Sequence, residues 1–157
     1  MSLRKLKEHL NERFGAGRYV LTGPAVLAAA IGSSTPKADV LLDPSLRGGD
    51  TPKQSLQLAG VEVAFHVLPE HYATLWQRSI QAGEDTPSDL AAALCWALVA
   101  GEQAAVVEFI LFGELEPEQI RREVLEILGP YAVDAVERCF EEAQWRLMTL
   151  EHTAEVS

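Results

Sequence analysis

The segment from residue 19 to residue 43 constrains the fold most strongly. It begins with the apolar run Tyr19–Thr22, passes through Gly23 and Pro24 into an alanine-rich run, and ends with a second apolar run, ADVLLD, that closes on Asp43. Aromatic and β-branched residues favour strands, a Gly-Pro pair favours a turn, and alanine favours helix. The segment therefore predicts a strand, a turn, a helix, a loop and a second strand.

Side chains alternate along a strand, so Asp39 and Asp43 are predicted to share one face of the second strand. The segment VEVAFHV, residues 61–67, alternates in the same way and predicts a third strand, with Glu62 and His66 on one side. A hydrogen-bonded structural role is the favoured interpretation of His66. An acid/base or metal pair with Glu62 is the alternative.

Apolar residues three and four positions apart predict helices in most of the remaining chain. These segments cover residues 3–14, 70–81, 116–128 and 131–150. Residues 90–100 are apolar nearly all round and predict a buried helix. Residues 103–113 fit a strand or a helix, and Glu108 in their middle and the short connection before them favour a helix. Thr51 as N-cap and Pro52 as first helical residue predict one more helix, to about Ala59.

The predicted fold class is α+β, with a small mixed sheet of three or more strands, flanking helices and a helical C-terminal part. We expect one domain over residues 1–157, divided into an α/β part, 1–68, and a helical part, 69–151, with a frayed tail.

Charge is distributed unevenly. Residues 1–60 carry eight Lys or Arg against five Asp or Glu, whereas residues 61–157 carry five Arg against eighteen acids. A second half with this excess of acids repels phosphate backbones, so nucleic acid is disfavoured as a partner. No apolar run is long enough to cross a membrane. Cys95 and Cys139 have neither disulfide nor metal spacing, and we interpret them as reduced, packed thiols of a cytoplasmic protein.

The last predicted helix carries two stripes. The first is a heptad-like seam, interpreted as an internal packing face, formed by Val133, Val136, Phe140, Ala143, Leu147 and Leu150. Tyr131, Arg138 and Trp145 recur every seven residues on another face. This second stripe is a candidate interaction surface, and covering a neighbouring helix is its alternative role.

The layout of the first half resembles the minimal nucleotidyltransferases of the DNA polymerase beta superfamily, closest to the bacterial abortive-infection and toxin type. In that family a strand leads into a Gly-Gly or Gly-Ser turn and a helix, and the next strand carries two acids one residue apart. Here LTGPAVL (residues 21–27) occupies the position of the turn and TPKADVLL (residues 35–42) that of the acidic strand. The helical segment 89–120 is similar to the family's helical part.

The resemblance implies roles for six residues. Asp39, Asp43 and Glu62 would be the catalytic acids, with Asp39 as ligand of Mg²⁺. Thr22, Gly23 and Lys37 would bind the nucleotide.

Two departures from the family pattern bear on activity. The second acid of the strand is replaced by Leu41, and the Cα of Asp43 lies about 13 Å from that of Asp39, too far to share one Mg²⁺. Pro24 has no N–H to offer a triphosphate. We therefore predict a nucleotidyltransferase-like protein without catalytic activity or cofactor, which acts by binding a ligand or a protein.

Two alternatives stay open. A bulge in the second strand would bring Asp39, Asp43 and Glu62 together in an active, Mg²⁺-dependent nucleotidyltransferase. Otherwise the chain is a helical protein-interaction module with a small supporting sheet. A protein partner, a second copy of the chain and a nucleotide remain as candidate partners.

Overall fold

The computed structural model describes residues 3–15, 18–33, 37–42, 56–58, 60–81 and 90–156. The α/β half contains α1 (Leu3–Phe14), β1 (Tyr19–Thr22), α2 (Pro24–Ala30), β2 (Lys37–Leu42), β3 (Leu56–Leu58) and β4 (Val61–Val67). The helical half contains α3 (Ala73–Gln81), α4 (Leu90–Val99), α5 (Gln103–Phe112), α6 (Pro117–Ile127) and α7 (Val133–Val156). Short 3₁₀ turns, Glu70–Tyr72 and Pro130–Ala132, precede α3 and α7.

The four strands form one mixed sheet in the order β1-β2-β4-β3, and this confirms the predicted α+β class. β2 pairs antiparallel with β1 and parallel with β4, while β3 pairs antiparallel with β4. β2 therefore lies inside the sheet, and all of its residues after Lys37 are buried.

Helices cover both faces of the sheet. The ring of Phe14 in α1 lies 5.5 Å from that of Phe65, and the ring of Trp96 in α4 lies 4.8 Å from that of His66. Because Phe65 and His66 are neighbours on β4, their side chains point to opposite faces. α1 therefore covers one face and α4 the other.

The helix predicted from Thr51 to Ala59 is wrong in its described part, since Leu56–Leu58 forms β3. Leu58 pairs with Val61, and Gly60 lies between them with a φ of +80°. Glycine tolerates this left-handed conformation, which a tight connection between antiparallel strands requires. Strand pairing therefore outweighs the helical preference of the local sequence.

The predicted helices of the second half are confirmed, and α4 packs at their centre. Cys95 of α4 and Cys139 of α7 are both buried. The last helix continues past the predicted end to Val156, because no glycine or proline interrupts it after Pro130. Val136 and Ala143 of its seam are buried, but Leu147 is half exposed. The inner face of α7 is therefore no longer buried in the core at Leu147. No helix in the described ranges combines the length and the hydropathy needed to span a membrane.

Candidate functional site

Asp39 occupies the middle of the sheet. Its backbone lies between Thr22 of β1 and Ala64 of β4, and the residue is 3% exposed. A carboxylate in such a position must have hydrogen-bond donors, because burying an unpaired charge is costly.

Trp96 and His66 supply those donors. Nε1 of Trp96 donates to Oδ2 of Asp39 at 3.0 Å, and Nε2 of His66 lies 3.1 Å from Oδ1. An ionised carboxylate only accepts hydrogen bonds, so Nε2 carries the proton and Nδ1 is the remaining nitrogen of the ring. The favoured interpretation of His66 as a hydrogen-bonded histidine is confirmed.

The pKa of Asp39 is lowered by these neighbours. Burial by itself raises the pKa, but hydrogen bonds from His66 and Trp96, with the positive charges of His66 and Lys37, outweigh it. Asp39 is therefore a fully ionised carboxylate at neutral pH with a donor on each oxygen.

Gly23 begins the turn that leads from β1 into α2, and it touches Asp39. Its φ is +85°, and a Cβ at this position would stand 2.7 Å from Oδ2 of Asp39. Both facts require glycine. Thr22 and Gly23, the predicted ligand-binding residues of this turn, are buried against Asp39 rather than exposed to solvent.

Glu102, which precedes α5, brings a second carboxyl group to the site. Its Oε1 lies 3.5 Å from Nζ of Lys37, while Oε2 is buried without a hydrogen-bond partner in the described chain. Burial and the negative charge of Asp39 raise the pKa of Glu102, and Lys37 opposes that rise. Sequence reasoning considered only acids of the sheet as neighbours of Asp39, whereas Glu102 comes from the helical half.

A pocket of 340 Å³ opens beside Lys37 and Glu102, between α2 and α5. Its lining is formed by Pro24, Ala28, Ile31, Ser33, Lys37, Glu102, Ala104, Ala105 and Glu108. Of the three predicted ligand-binding residues, Lys37 alone lines it. The carboxyl groups of Glu102 and Glu108 outnumber the ammonium group of Lys37, which gives the pocket an acidic character. Its walls are otherwise largely apolar.

The other predicted acids lie apart from this cluster or outside the described residues. Glu62 is exposed on β4, where its backbone lies beside Lys37 rather than Asp39. Asp43 falls outside the described residues. The alternative in which a bulge brings Asp39, Asp43 and Glu62 together therefore stays a prediction. Among the described residues, no three His, Cys, Asp or Glu side chains are grouped closely enough to hold one metal ion.

The predicted interaction stripe lies on α7 and on the short turn before it. Tyr131 and Trp145 are 64% and 69% exposed, and Arg138 is exposed between them. Tyr131 belongs to the 3₁₀ turn before α7, whereas the other two residues lie on the helix.

Sequence reasoning missed Trp96 and Glu102 as members of the Asp39 cluster. Trp96 stands in an apolar helix that predicts only core packing, and Glu102 follows it in an ordinary helix connection. No local pattern connects either residue with β2. A buried Trp that needs an acceptor for its N–H is the one signal that could have pointed to a polar neighbour.

Comparisons with known proteins assign this chain to no family. No protein-family model, no curated protein and no solved structure matches this chain.

Proposed function

We propose that this chain is a nucleotidyltransferase-like protein that does not transfer nucleotides and acts by binding. The observation that carries the proposal is the Asp39 carboxylate, which has a side-chain donor on each of its two oxygens. Each oxygen keeps a second lone pair, but Asp39 is only 3% exposed, so a Mg²⁺ ion that keeps several of its waters reaches the carboxylate only if one of these hydrogen bonds is given up. Freeing Oδ2 would leave the buried N–H of Trp96 without an acceptor, at a cost of about 1–3 kcal/mol.

The arrangement of β1, the Gly23 turn, α2 and β2 supports the family part of the proposal. Gly23 touches Asp39, the acid of β2 that corresponds to the first acid of the family pattern. In this protein that acid joins the sheet to α4 through Trp96.

The ligand site of the proposal is the pocket between α2 and α5. Lys37 offers one ammonium group, but it pairs with Glu102, and Glu108 adds a further negative charge. A bare triphosphate is repelled by this arrangement. We therefore assign the pocket to a small neutral or cationic ligand with an apolar part. The buried thiols of Cys95 and Cys139 support a cytoplasmic location.

Glu102 favours a second candidate, an active Mg²⁺-dependent nucleotidyltransferase. It places a carboxyl group close enough to Asp39 for the charge of one to raise the pKa of the other. Pairs of carboxylates together with substrate phosphates are a common way to hold Mg²⁺.

Isothermal titration separates the two candidates. The protein is titrated with each NTP in the presence and absence of Mg²⁺, alongside Asp39→Asn, Glu102→Gln and the control Glu126→Gln, which changes an exposed acid on α6. We expect no Mg²⁺-dependent heat with any NTP. Mg²⁺-dependent binding that is lost in Asp39→Asn and Glu102→Gln, but kept in Glu126→Gln, would establish the enzyme instead.

A further inference from the structure

The outward side of α7 carries a continuous exposed stripe. Its members are spaced by four and three residues in alternation, and none touches the core: Asp134, Arg138, Glu141, Trp145 and Met148. Trp145 is 69% and Met148 56% exposed. This spacing is the heptad pattern by which one helix packs along another. The side of α7 that faces α5 and α6 is a different one, so the stripe has no partner within the described chain.

The charges of the stripe are complementary to themselves. Arg138 and Glu141 form no ion pair in the part of the chain described here, although other arginines of this half do, such as Arg121 with Glu137. In a parallel pair of α7 helices Arg138 would face Arg138 and Glu141 would face Glu141, which is repulsive. In an antiparallel pair each Arg138 faces the Glu141 of the other copy.

The antiparallel register that sets Arg138 opposite Glu141 also pairs the other residues of the stripe. With Arg138 opposite Glu141, Trp145 lies opposite Asp134, whose carboxylate can accept the indole N–H. Met148 lies opposite Tyr131, an arrangement that favours a sulfur–aromatic contact. Each contact occurs twice, as a two-fold axis between residues 139 and 140 requires.

We propose that this stripe binds a second copy of the chain as an antiparallel α7–α7 homodimer. The inference goes beyond the proposed function, and it uses no residue of the Asp39 cluster. One helix pair over this length, about 21 Å, buries less than the roughly 1,200 Å² of most stable complexes. We therefore expect a reversible dimer with a dissociation constant on the order of micromolar.

A charge-swap experiment on the full chain tests the register. Sedimentation equilibrium and light scattering are run from about 1 to 500 µM at about 0.15 M salt. The wild-type mass should rise from 17.2 kDa toward twice that value with concentration. Arg138→Glu and Glu141→Arg should each weaken the association about tenfold or more, and the double variant should restore it to within about threefold.

Two further variants complete the test. Trp145→Ala should abolish the dimer, while Leu125→Ala, which removes an exposed apolar side chain from α6, should leave it unchanged. Far-UV circular dichroism confirms that every variant is folded. A wild-type protein that stays monomeric throughout overturns the dimer, and so does a dimer that ignores the charge swaps. Neither result affects the titration of the Asp39 site, which is read out separately.

Discussion

Neutralising Asp39 gives opposite changes in stability under the two candidate functions. If the carboxylate holds the structure together, losing it removes hydrogen bonds from Trp96 and His66. Acids gathered to bind a cation repel one another when the cation is absent, so neutralising one of them stabilises the protein. The sign of the change therefore distinguishes a structural carboxylate from a catalytic one.

The structure sets the expected magnitude for two variants. Asp39→Ala leaves the N–H of Trp96 buried without an acceptor and removes two hydrogen bonds to a charged group. Together these cost about 3–5 kcal/mol, partly offset because Glu102 loses a negative neighbour. Asp39→Asn keeps an oxygen that accepts from Trp96 and places an amide group beside Nε2 of His66, so we expect a loss of about 1–2 kcal/mol.

Urea unfolding at pH 7 followed by far-UV circular dichroism measures both values, since this signal does not depend on Trp96 itself. Trp96→Phe removes the N–H but keeps a ring, and it completes a double-mutant cycle with Asp39→Ala, which removes the acceptor. We expect a coupling free energy of about 1 kcal/mol or more between the two positions. A coupling near zero, or a stabilised Asp39→Asn, would refute the structural role of this carboxylate.

Three further predictions concern the same cluster. Glu102→Gln should stabilise the protein at pH 7 by about 1 kcal/mol, because a neutral amide removes the repulsion from Asp39 at the expense of a weak pair with Lys37. The raised pKa of Glu102 makes wild-type stability fall as the pH rises above its ordinary value of 4.5, and urea unfolding between pH 4 and pH 8 should show a flatter profile in this variant. Because the pKa of Asp39 is lowered in the folded state, its carboxylate contributes stability above pH 3.8, the ordinary pKa, and this contribution is lost as the pH falls below that value. Asp39→Asn should therefore lose less stability than wild type on acidification. Gly23→Ala should cost about 2–4 kcal/mol in thermal unfolding, since the Cβ meets Asp39 at a positive φ, whereas Gly32→Ala, with a similar φ and nothing within 4 Å, should cost only about 1–2 kcal/mol.

Repeating patterns between neighbouring residues were sufficient to predict most of the secondary structure. The spacing of Leu6 and Leu10 predicts α1, alternation in residues 61–67 predicts β4, and Pro117 after Glu116 predicts the start of α6. These patterns are local, because a helix or strand repeats its environment every few residues.

The same local reasoning failed at β3. Thr51 and Pro52 form a good helix start, but Leu56–Leu58 pairs with β4. A three-residue strand has too little periodicity to be recognised, and its stability comes from the hydrogen bonds of a neighbouring strand.

The Asp39 cluster depended on tertiary structure to an even greater degree. The sequence by itself determined that Asp39 would lie on the strand after the glycine turn and that His66 would lie on a further strand. The parallel pairing of these two strands and the burial of Asp39 became known from the tertiary structure. The tertiary structure decided which groups meet its carboxylate, because Trp96 and Glu102 come from the helical half, 57 residues along the chain in the case of Trp96. Helix packing fixes that encounter, and packing depends on side chains far apart in sequence, so no local pattern encodes it.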